Sequence, residues 1–550
     1  MGTTTLTSEL YANMIAGGAA KLSHNRAVVN ELNVFPVPDG DTGDNMFMTI
    51  DSGYSALSDG IDEALSATSY RVARGMLLGA RGNSGVILSR IFSGISKGLH
   101  DVRSADIRTF AKALENGISE SYRAVQTPVE GTILTVYSDA VRYANDRITD
   151  RTDFESYFDD FLSELRASLA RTPTLLDVLR ESGVVDSGGA GIVFIAEGMQ
   201  DALRGVAYVP DHEPSRSVSA PNLSLFDENT ELRFGYCTEF LLRLTTAKVG
   251  SVSEFDESPL LDWLNRSGDS VVAFREGSII KAHVHTMSPE TILAYFHTYG
   301  EFLTLKIENM MLQHNETALS EPEFKKAAPR KKLGIVAVAS GAGIRDTFLS
   351  IGADAVVDGG QSMNPSAEDL LRAFSSVNAD TIFVYPNNSN IILTAQQAAA
   401  LYTESEVRVL PSRSIGECYA ALSLLDISSD NMDQIEAGSI EVMQSVTTGT
   451  VAKASRTMMK DGVSVREGDY IGFSESTIYS DAKTAKEAAL SLASSLNAEE
   501  FGILLLVRGM DADPEEAEHI RAELEKQYPL TEVLLLEGGQ PVYDYLMILE

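Results

Sequence analysis

Three aspartates stand close together near the start of the chain. Asp39, Asp41 and Asp44 all lie in the segment NVFPVPDGDTGDN, residues 33–45. The two glycines between them let the backbone turn sharply. Because carboxylates this close repel one another unless a cation lies between them, the spacing favours a divalent-metal site. Magnesium prefers carboxylate oxygens combined with the phosphates of a substrate, so the segment points to magnesium-assisted phosphate chemistry.

This acidic segment has two alternative interpretations. An EF-hand calcium loop that began at Asp39 would carry a glutamate at position 50, but the sequence has Ile50, which excludes that motif. A solvated turn remains open, because Asp and Gly are favoured in turns for local reasons. On the metal interpretation, the hydroxyl of Thr42 and the amide of Asn45 add oxygen ligands or phosphate donors.

Three further segments place glycine and small polar residues directly before an apolar, helix-like run. They are GARGNSG at 79–85, PVEGTIL at 128–134 and DSGGAG at 186–191. Such a helix start exposes backbone N–H groups and the positive end of the helix dipole, which bind anions. Asn83 and Ser84 would add side-chain donors, unless the first segment is an ordinary turn in which Asn or Ser caps the helix. Together with the acidic segment, these helix starts fit a nucleotide whose phosphates lie among helix ends.

The common nucleotide-binding motifs are missing from the chain. No Gly-Lys dipeptide occurs, so there is no Walker A loop, and the His-Arg-Asp catalytic loop of protein kinases does not occur either.

Helical spacing of apolar residues in 10–32, 107–125 and 154–169 predicts a mainly helical region up to about residue 205. We therefore expect helices as the scaffold and the glycine-rich segments as the site.

The rest of the chain predicts two α/β domains separated by proline-containing linkers. β-rich patterning begins near residue 233, and from residue 333 apolar strands alternate with helices, which predicts a mostly parallel sheet. The predicted organisation is a helical domain at 1–208, a linker at 209–225, a small α/β domain at 226–320, a linker at 321–332 and an α/β domain at 333–550.

The composition narrows the class of function. The 550 residues include 44 Lys and Arg against 78 Asp and Glu, a formal net charge of −34, which disfavours a general binder of nucleic acid or anionic membranes. Two distant cysteines cannot form a disulfide framework. The first residues lack the basic and apolar regions of a signal peptide, and no apolar run reaches membrane-spanning length. We expect a cytoplasmic protein with no transmembrane segment and no nucleic-acid partner.

A third group of candidate residues lies in the β-rich region. His283 and His285 are two residues apart on a predicted strand, so their side chains share one face, and Cys237 lies on another predicted strand. One cysteine and two histidines form a zinc set that a carboxylate or water would complete. The alternative is a half-buried strand with an ordinary cysteine and two hydrogen-bonded histidines. The spacing alone leaves both interpretations open.

Four segments of the helical region together resemble a known domain. Residues 33–45, 79–89, 130–136 and 172–191 look like the nucleotide-binding DhaL domain of the dihydroxyacetone kinase family. The resemblance implies a barrel of antiparallel helices that holds ADP or ATP and two magnesium ions (Mg2+) at one end.

Motifs farther along extend the resemblance to nearly the whole chain. GYCTEF at 235–240, HVH at 283–285 and EGGQPVY at 537–543 complete an arrangement that resembles the ATP-binding subunits of bacterial fatty acid kinases. The implied fold class is multidomain: an all-α DhaL-like helical barrel, a small α/β middle domain and an α/β DegV-like C-terminal domain. The resemblance also implies a structural zinc ion (Zn2+) at the Cys-His-His set and a homodimer formed through the middle domain.

The resemblance assigns site residues as well. Asp39, Asp41 and Asp44 match the family's magnesium-binding aspartates. The residues that match or neighbour its nucleotide contacts are Thr42, Asn45, Gly82, Asn83, Ser84, Thr132, Leu134, Asp186 and Gly188. Family members carry an earlier aspartate where this chain has Asn33, so here Asp44 would supply the third carboxylate.

The implied reaction is the ATP-dependent phosphorylation of a fatty acid to an acyl phosphate, with the acid presented by a separate fatty-acid-binding protein of DegV type. The loops 359–365 and 386–390 follow predicted strands, where α/β sheets bind ligands, and resemble loops of DegV-type proteins. They would dock the partner or bind lipid, and ordinary turns are the alternative. Two other functions stay open: a dihydroxyacetone kinase, and a nucleotide-binding regulator or scaffold without catalytic activity.

Overall fold

The computed structural model describes residues 2–33, 40–58, 60–125, 127–206, 236–252, 255–256, 258–267, 269–276, 278–309, 330–360, 363–425 and 431–550. Contacts between Cα atoms divide the chain into two compact units, one formed by residues 1–211 together with 327–550 and the other by residues 212–326. The predicted linkers fall almost entirely outside the described residues, and the predicted domain boundaries stay predictions.

Nine α-helices occupy the described part of residues 2–206. They are α1 (Ser8–Glu31), α2 (Thr42–Ser55), α3 (Leu65–Gly79), α4 (Gly82–Gly98), α5 (Ile107–Ala124), α6 (Ile133–Asn145), α7 (Phe154–Leu175), α8 (Asp177–Ser182) and α9 (Ser187–Leu203). The three helices predicted from apolar spacing correspond to α1, α5 and the greater part of α7.

These helices form a closed ring around one core. Apart from the short α8, each helix packs against the next along the chain, and α9 completes the ring by packing against α7 and α1. Aliphatic side chains fill the core together with an aromatic cluster of Phe110, Phe154, Tyr157, Phe158 and Phe161. Removal of this apolar surface from water is the main force that holds the ring together.

Two glycines let α1 and α9 cross closely. A Cβ atom on Gly198 would lie 2.0 Å from the carbonyl oxygen of Gly17, and a Cβ atom on Gly17 would lie 2.3 Å from that of Gly198. A larger residue at either position would push the helices apart. The crossing therefore depends on both glycines, and it holds α9 where its first turn lies beside α2.

The unit at 212–326 contains, within its described residues, an antiparallel sheet and three helices. The elements are β1 (Tyr236–Leu244), α10 (Thr246–Val249), α11 (Ser258–Ser267), β2 (Asp269–Glu276), β3 (Ile279–Thr286), α12 (Pro289–His297) and β4 (Gly300–Asn309). The strand order is β2-β3-β1-β4. Helices α11 and α12 cover one face of the sheet, where Phe240, Leu264, Val284 and Phe296 form a core.

The predicted zinc residues belong to β1 and β3. The backbone register pairs Cys237 with His285, and Glu239 with His283, across the two antiparallel strands. The side chains of Cys237, His283 and His285 lie outside the described residues. The zinc assignment therefore stays a prediction, made on positions that the backbone places next to one another.

Residues 330–550 form an α/β domain. Its strands and helices are β5 (Lys331–Ala339), α13 (Ala342–Ser350), β6 (Ala355–Asp358), α14 (Ala367–Ser376), β7 (Ala379–Tyr385), α15 (Ser389–Leu401), β8 (Glu406–Val409), α16 (Ile415–Ser423), α17 (Met432–Ser445), β9 (Thr447–Lys453), β10 (Met458–Lys460), β11 (Val463–Val465), β12 (Tyr470–Ser474), β13 (Thr477–Ala482), α18 (Ala485–Ser495), β14 (Ile503–Arg508), α19 (Pro514–Gln527), β15 (Glu532–Glu537) and β16 (Tyr545–Leu549).

Two main sheets alternate with three helical layers in this domain. The first sheet has the strand order β6-β5-β7-β8 and is parallel throughout, which confirms the mostly parallel sheet predicted from the sequence. The second has the order β13-β12-β9-β16-β14-β15 and is antiparallel except for the pair β14–β15. Helices α13, α16 and α17 lie between the sheets, while α14 with α15 and α18 with α19 cover the outer faces.

The predicted fold class is confirmed, with a ring of helices followed by a small α/β domain and a larger α/β domain. Within the described part of the chain, none of the helices combines the length and the apolar character needed to cross a lipid bilayer.

Candidate active site

Four helix starts meet at one end of the helical ring. At the start of α9, Oγ of Ser187 donates a hydrogen bond to Oγ1 of Thr42, at the start of α2, over 3.3 Å. A Cβ atom on Gly82, the first residue of α4, would lie 2.6 Å from Nδ2 of Asn45 in α2. A Cβ atom on Gly188 in α9 would lie 3.2 Å from Cβ of Ile133, the first residue of α6. The structure thus brings the acidic segment and the three glycine-rich segments together.

At three of these four helix starts, the residue before the helix does not cap it. The residues before α2, α4 and α6 are Asp41, Arg81 and Thr132, and none of them caps its helix through a side-chain hydrogen bond. In α2, however, the N–H groups of Gly43 and Asp44 donate to Oδ1 of Asn30, at 2.7 and 3.4 Å. The positive ends of the three helix dipoles converge with the first-turn N–H groups of α4, which is an arrangement that binds phosphate. The predicted alternative for 79–85, an Asn or Ser cap, does not occur, because Asn83 and Ser84 lie inside α4.

The start of α9 is capped differently. The carboxylate of Asp186 accepts the N–H of Gly189 at 2.7 Å and also interacts with the N–H of Ile133, so it joins α9 to α6. Burial raises the pKa of this carboxyl to about 6, although both N–H groups lower it. Asp186 thus fixes the geometry of two helix starts. Its predicted contact with the nucleotide stays a prediction.

Two of the three predicted metal-binding aspartates belong to the described residues, and Asp39 lies outside them. Oδ2 of Asp41 accepts a hydrogen bond from the side-chain amide of Asn364. Asp44 faces α1, where its Oδ1 accepts from Arg26 at 3.2 Å and its Oδ2 accepts from Asn30 at 2.7 Å. A magnesium ion at Asp44 would have to share the carboxylate with the guanidinium group of Arg26.

The polar residues beside the aspartates form a short hydrogen-bonded chain. Oγ1 of Thr42 accepts from Ser187 and donates to Oδ1 of Asn33 at 3.1 Å. Asn33 therefore places an amide oxygen, not a carboxylate, next to the acidic segment.

The remaining predicted nucleotide residues surround the same place. Thr132 donates from Oγ1 to the carbonyl oxygen of Val129 at 2.8 Å, which shapes the turn before α6. Leu134 is buried within α6. Asn83 donates from Nδ2 to Oδ1 of Asn390 at 3.2 Å, while its own Oδ1 is buried with no hydrogen-bond partner.

Sequence reasoning missed the contribution of the C-terminal domain to this site. Asn364 contacts the acidic segment, Asn390 contacts the glycine-rich segment, and the unassigned Arg81 donates to the carbonyl oxygen of Asn364 at 2.7 Å. These pairs lie about three hundred positions apart in the sequence. No local pattern could have indicated that they meet.

A cavity of about 1010 Å3 opens where the parallel strands of the C-terminal domain end. The loops after β5, β6, β7 and β8 line it, through Ser340, Gly359 and Gly360, residues 386–390, and Arg413. The two loops predicted to bind a ligand therefore meet at one cavity. Asn83, Val125, Thr127 and Val178 of the helical domain also line it.

No group of three or more His, Cys, Asp or Glu side chains that could hold a metal ion occurs among the described residues. Asp39 and the zinc residues lie outside them. The described donors beside Asp41 are nevertheless oxygen atoms of carboxylate, amide and hydroxyl groups, and this donor set suits magnesium better than a softer metal.

Comparison with known families accounts for most of the chain. The model of the DAK2 domain matches residues 36–201, that of the FakA-like fatty acid kinase middle domain matches 233–317, and that of the FakA-like C-terminal domain matches 334–550. Protein YloV of Bacillus subtilis is 40% identical over 559 residues, with both chains covered in full. The chain belongs to the FakA-like fatty acid kinase family. This membership confirms the resemblance seen in the sequence.

Solved structures match parts of this FakA-like chain. The fatty acid kinase B3 protein of Streptococcus pneumoniae, loaded with linoleic acid, has 13% identity and a TM-score of 0.29, covering 40% of this chain and 99% of that one. The dihydroxyacetone kinase of C. freundii has 17% identity and a TM-score of 0.29, covering 37% of this chain and 36% of that one.

Proposed function

We propose that the chain is the nucleotide-binding, catalytic component of a fatty acid kinase. It would transfer the γ-phosphoryl group of ATP to a fatty acid carboxylate and so form an acyl phosphate and ADP. The observation that carries this proposal is the meeting of four helix starts with the acidic segment, in a chain that belongs to the FakA-like fatty acid kinase family. The proposed domain boundaries are those predicted from the sequence.

The nucleotide phosphates would lie against the first turns of α2, α4 and α6. There the N–H groups of the glycine-rich segments would donate to phosphate oxygens, and the side chains of Thr42, Asn45 and Ser84 would add further donors. Gly82 allows close approach, since even a Cβ atom at that position would collide with Asn45. Asp186 would hold α6 and α9 in place.

Magnesium would be held by Asp39 and Asp41, with Asp44 as the predicted third carboxylate, and bound there it would neutralise charge on the phosphates. Asn33 and Thr42 add neutral oxygen atoms beside these carboxylates. The chain's own residues supply position and N–H donors, which dominate the catalysis of phosphoryl transfer.

The acceptor in this proposal is a carboxylate, which is already anionic and needs no general base. A bond forms between a carboxylate oxygen and the γ-phosphorus while the bond from that phosphorus to the bridging oxygen breaks, and ADP leaves. Since a free acyl chain is poorly soluble, a separate fatty-acid-binding protein of DegV type would present the substrate. The cavity at the ends of β5–β8 and its surroundings are the surface proposed to dock that partner or its lipid.

The middle domain is proposed to form the homodimer and to hold the structural zinc ion. Three alternate residues of β4 are apolar and exposed to solvent. The exposed fraction is 44% for Leu303, 48% for Leu305 and 41% for Ile307. Alternate residues of a strand share one face, so these side chains form an apolar row on the edge strand of the sheet. Such a row favours contact with a second copy of the chain.

An activity assay tests the proposed function. It combines the purified chain with ATP, magnesium and a lipid-loaded DegV-type protein. We expect ADP release that depends on oleate bound to the partner and not on dihydroxyacetone. Formation of dihydroxyacetone phosphate would instead assign the alternative kinase activity. Nucleotide binding without turnover on any partner would assign a regulator or scaffold.

A further inference from the structure

A loop of the C-terminal domain reaches the acidic segment of the helical domain. Asn364, between β6 and α14, is only 1% exposed. Its Nδ2 donates to Oδ2 of Asp41 and would lie 3.2 Å from a Cβ atom on Gly82. Asn364 therefore touches both the predicted metal-binding segment and the predicted phosphate-binding segment.

The other polar atom of the same side chain has no partner. Oδ1 of Asn364 is buried and makes no hydrogen bond. A buried amide oxygen without a hydrogen-bond partner is costly, and such groups are few in folded proteins. Asn364 thus makes its hydrogen bond to Asp41 through Nδ2, while its Oδ1 stays unsatisfied.

Several contacts hold this loop on the glycine-rich segment. Nη1 of Arg81 donates to the carbonyl oxygen of Asn364 at 2.7 Å, and Nη2 of Arg81 lies 3.6 Å from Oδ2 of Asp369. The N–H of Ala367 donates to the carbonyl oxygen of Ala80 at 3.3 Å. Asp369 is itself fixed by a capping box with Ser366 at the start of α14. The position of Asn364 is thus set from both domains.

A carboxylate that binds a metal ion is usually oriented by a hydrogen bond from a neighbouring group. Asn364 makes such a bond to Asp41: it engages Oδ2 of the carboxylate and limits its rotation. The donor does not come from the helical domain, which supplies the predicted metal ligands. It comes from a loop that follows a strand of the parallel sheet in the C-terminal domain.

We propose that Asn364 is a positioning residue of the magnesium and nucleotide site, so that two domains build this site. The inference rests on the proposed function, because it assigns Asp41 to magnesium. It follows that the helical domain binds the metal at full strength only while the loop at 363–369 is docked on residues 80–82.

The test measures binding rather than turnover. Mn2+ serves as the probe, and the electron paramagnetic resonance signal of free Mn2+ reports its affinity for the full chain in the presence of ADP. Asn364→Leu keeps the number of side-chain heavy atoms and the branching at Cγ but removes the donor, and we expect about 10- to 100-fold weaker Mn2+ binding. Met363→Ala is the matched control, because Met363 neighbours Asn364 but is 49% exposed, and we expect wild-type binding.

A double-mutant cycle separates positioning from general damage. In the Asp41→Ala background, Asn364→Leu should cause no further loss of Mn2+ affinity, because Asn364 acts through Asp41. Thermal unfolding checks that each variant folds, and Asn364→Ala replaces the leucine variant if the latter does not. The inference about Asn364 would be overturned, and the proposed function left intact, if both folded Asn364 variants bound Mn2+ with wild-type affinity. Additive losses of Mn2+ affinity in the double-mutant cycle would have the same consequence. A wild-type chain that binds no nucleotide would overturn the proposed function as well.

Discussion

Gly82 and Asn45 lie so close that a larger residue at position 82 would have to displace the Asn45 amide: a Cβ atom on Gly82 would stand 2.6 Å from Nδ2 of Asn45. Gly82 also has a φ of +57°, in the left-handed region that other residues adopt at a cost of about 1–2 kcal/mol. Both constraints act at the first residue of α4, where the nucleotide phosphates are proposed to bind.

Gly82→Ala should therefore weaken ADP binding by at least ~10-fold, equivalent to about 1.4 kcal/mol, because the added methyl group displaces Asn45 and the first turn of α4. Isothermal titration calorimetry with ADP and magnesium measures the change. Gly183→Ala is the matched control: Gly183 has a φ of +68°, but an added Cβ would meet no atom within 4 Å. An alanine at position 183 has a backbone strain similar to that of an alanine at position 82. Equal losses of ADP affinity in the two variants would therefore refute the role assigned to Gly82.

Asp41→Ala should lower the rate of acyl phosphate formation by about 100-fold or more, because it removes a proposed magnesium ligand. Steady-state assays at saturating ATP measure the rate. Asp150→Ala is the control, since Asp150 belongs to an exposed ion pair with Arg108 and should leave the rate unchanged. A wild-type rate for Asp41→Ala would contradict the metal assignment.

Asp186 should give the helical domain a distinctive pH dependence. Its folded pKa of about 6 is above the ordinary value of 3.8, so the folded state binds the proton more tightly than the unfolded state. The resulting stability is fully present below pH 3.8 and is lost as the pH rises through about 6, by up to ~3 kcal/mol.

Chemical denaturation of the wild type and of Asp186→Asn between about pH 4 and pH 7 measures this effect. Relative to the wild type, the variant should gain stability as the pH rises, since it lacks the buried carboxylate but keeps a side chain able to cap α9. A difference that stays constant over this range would show that Asp186 titrates normally.

The apolar row on β4 should determine the oligomeric state. Leu305→Lys places a charge in the middle of this row and should convert a dimer to a monomer, which light scattering coupled to gel filtration detects. Leu530→Lys is the control, because Leu530 is 92% exposed on the C-terminal domain. A mass that is the same for the wild type and the Leu305 variant would exclude this row as the dimer contact.

Much of the fold could be predicted because strong local patterns specify it. Apolar helical spacing indicated α1, α5 and α7, and the apolar runs of the parallel strands indicated β5 to β8 within a few residues. The strands β9 to β13, β15 and β16 were not predicted. Strands β10 and β11 have three residues each, and β13 is largely polar, so no apolar run marks them. β15 and β16 do contain apolar runs, which sequence reasoning overlooked.

The candidate site, like the fold, could be predicted only where a short local pattern specifies it. Glycine and aspartate patterns indicated which helix starts meet, because each pattern lies within one short segment. The contact between Asp41 and Asn364 spans 323 positions and leaves no local signal. The engagement of Asp44 by Arg26 could not be predicted either, since it depends on how α1 packs against α2.

The chemical identity of the product tests the central claim most directly. The full chain is incubated with ATP, magnesium and an oleate-loaded DegV-type protein, and hydroxylamine then traps any acyl phosphate as a hydroxamate that mass spectrometry quantifies. The account predicts oleoyl hydroxamate in equal amount to the ADP released, and its loss in Asp41→Ala. ADP release without any oleoyl hydroxamate, or no ADP release with a partner that binds the chain, would contradict it.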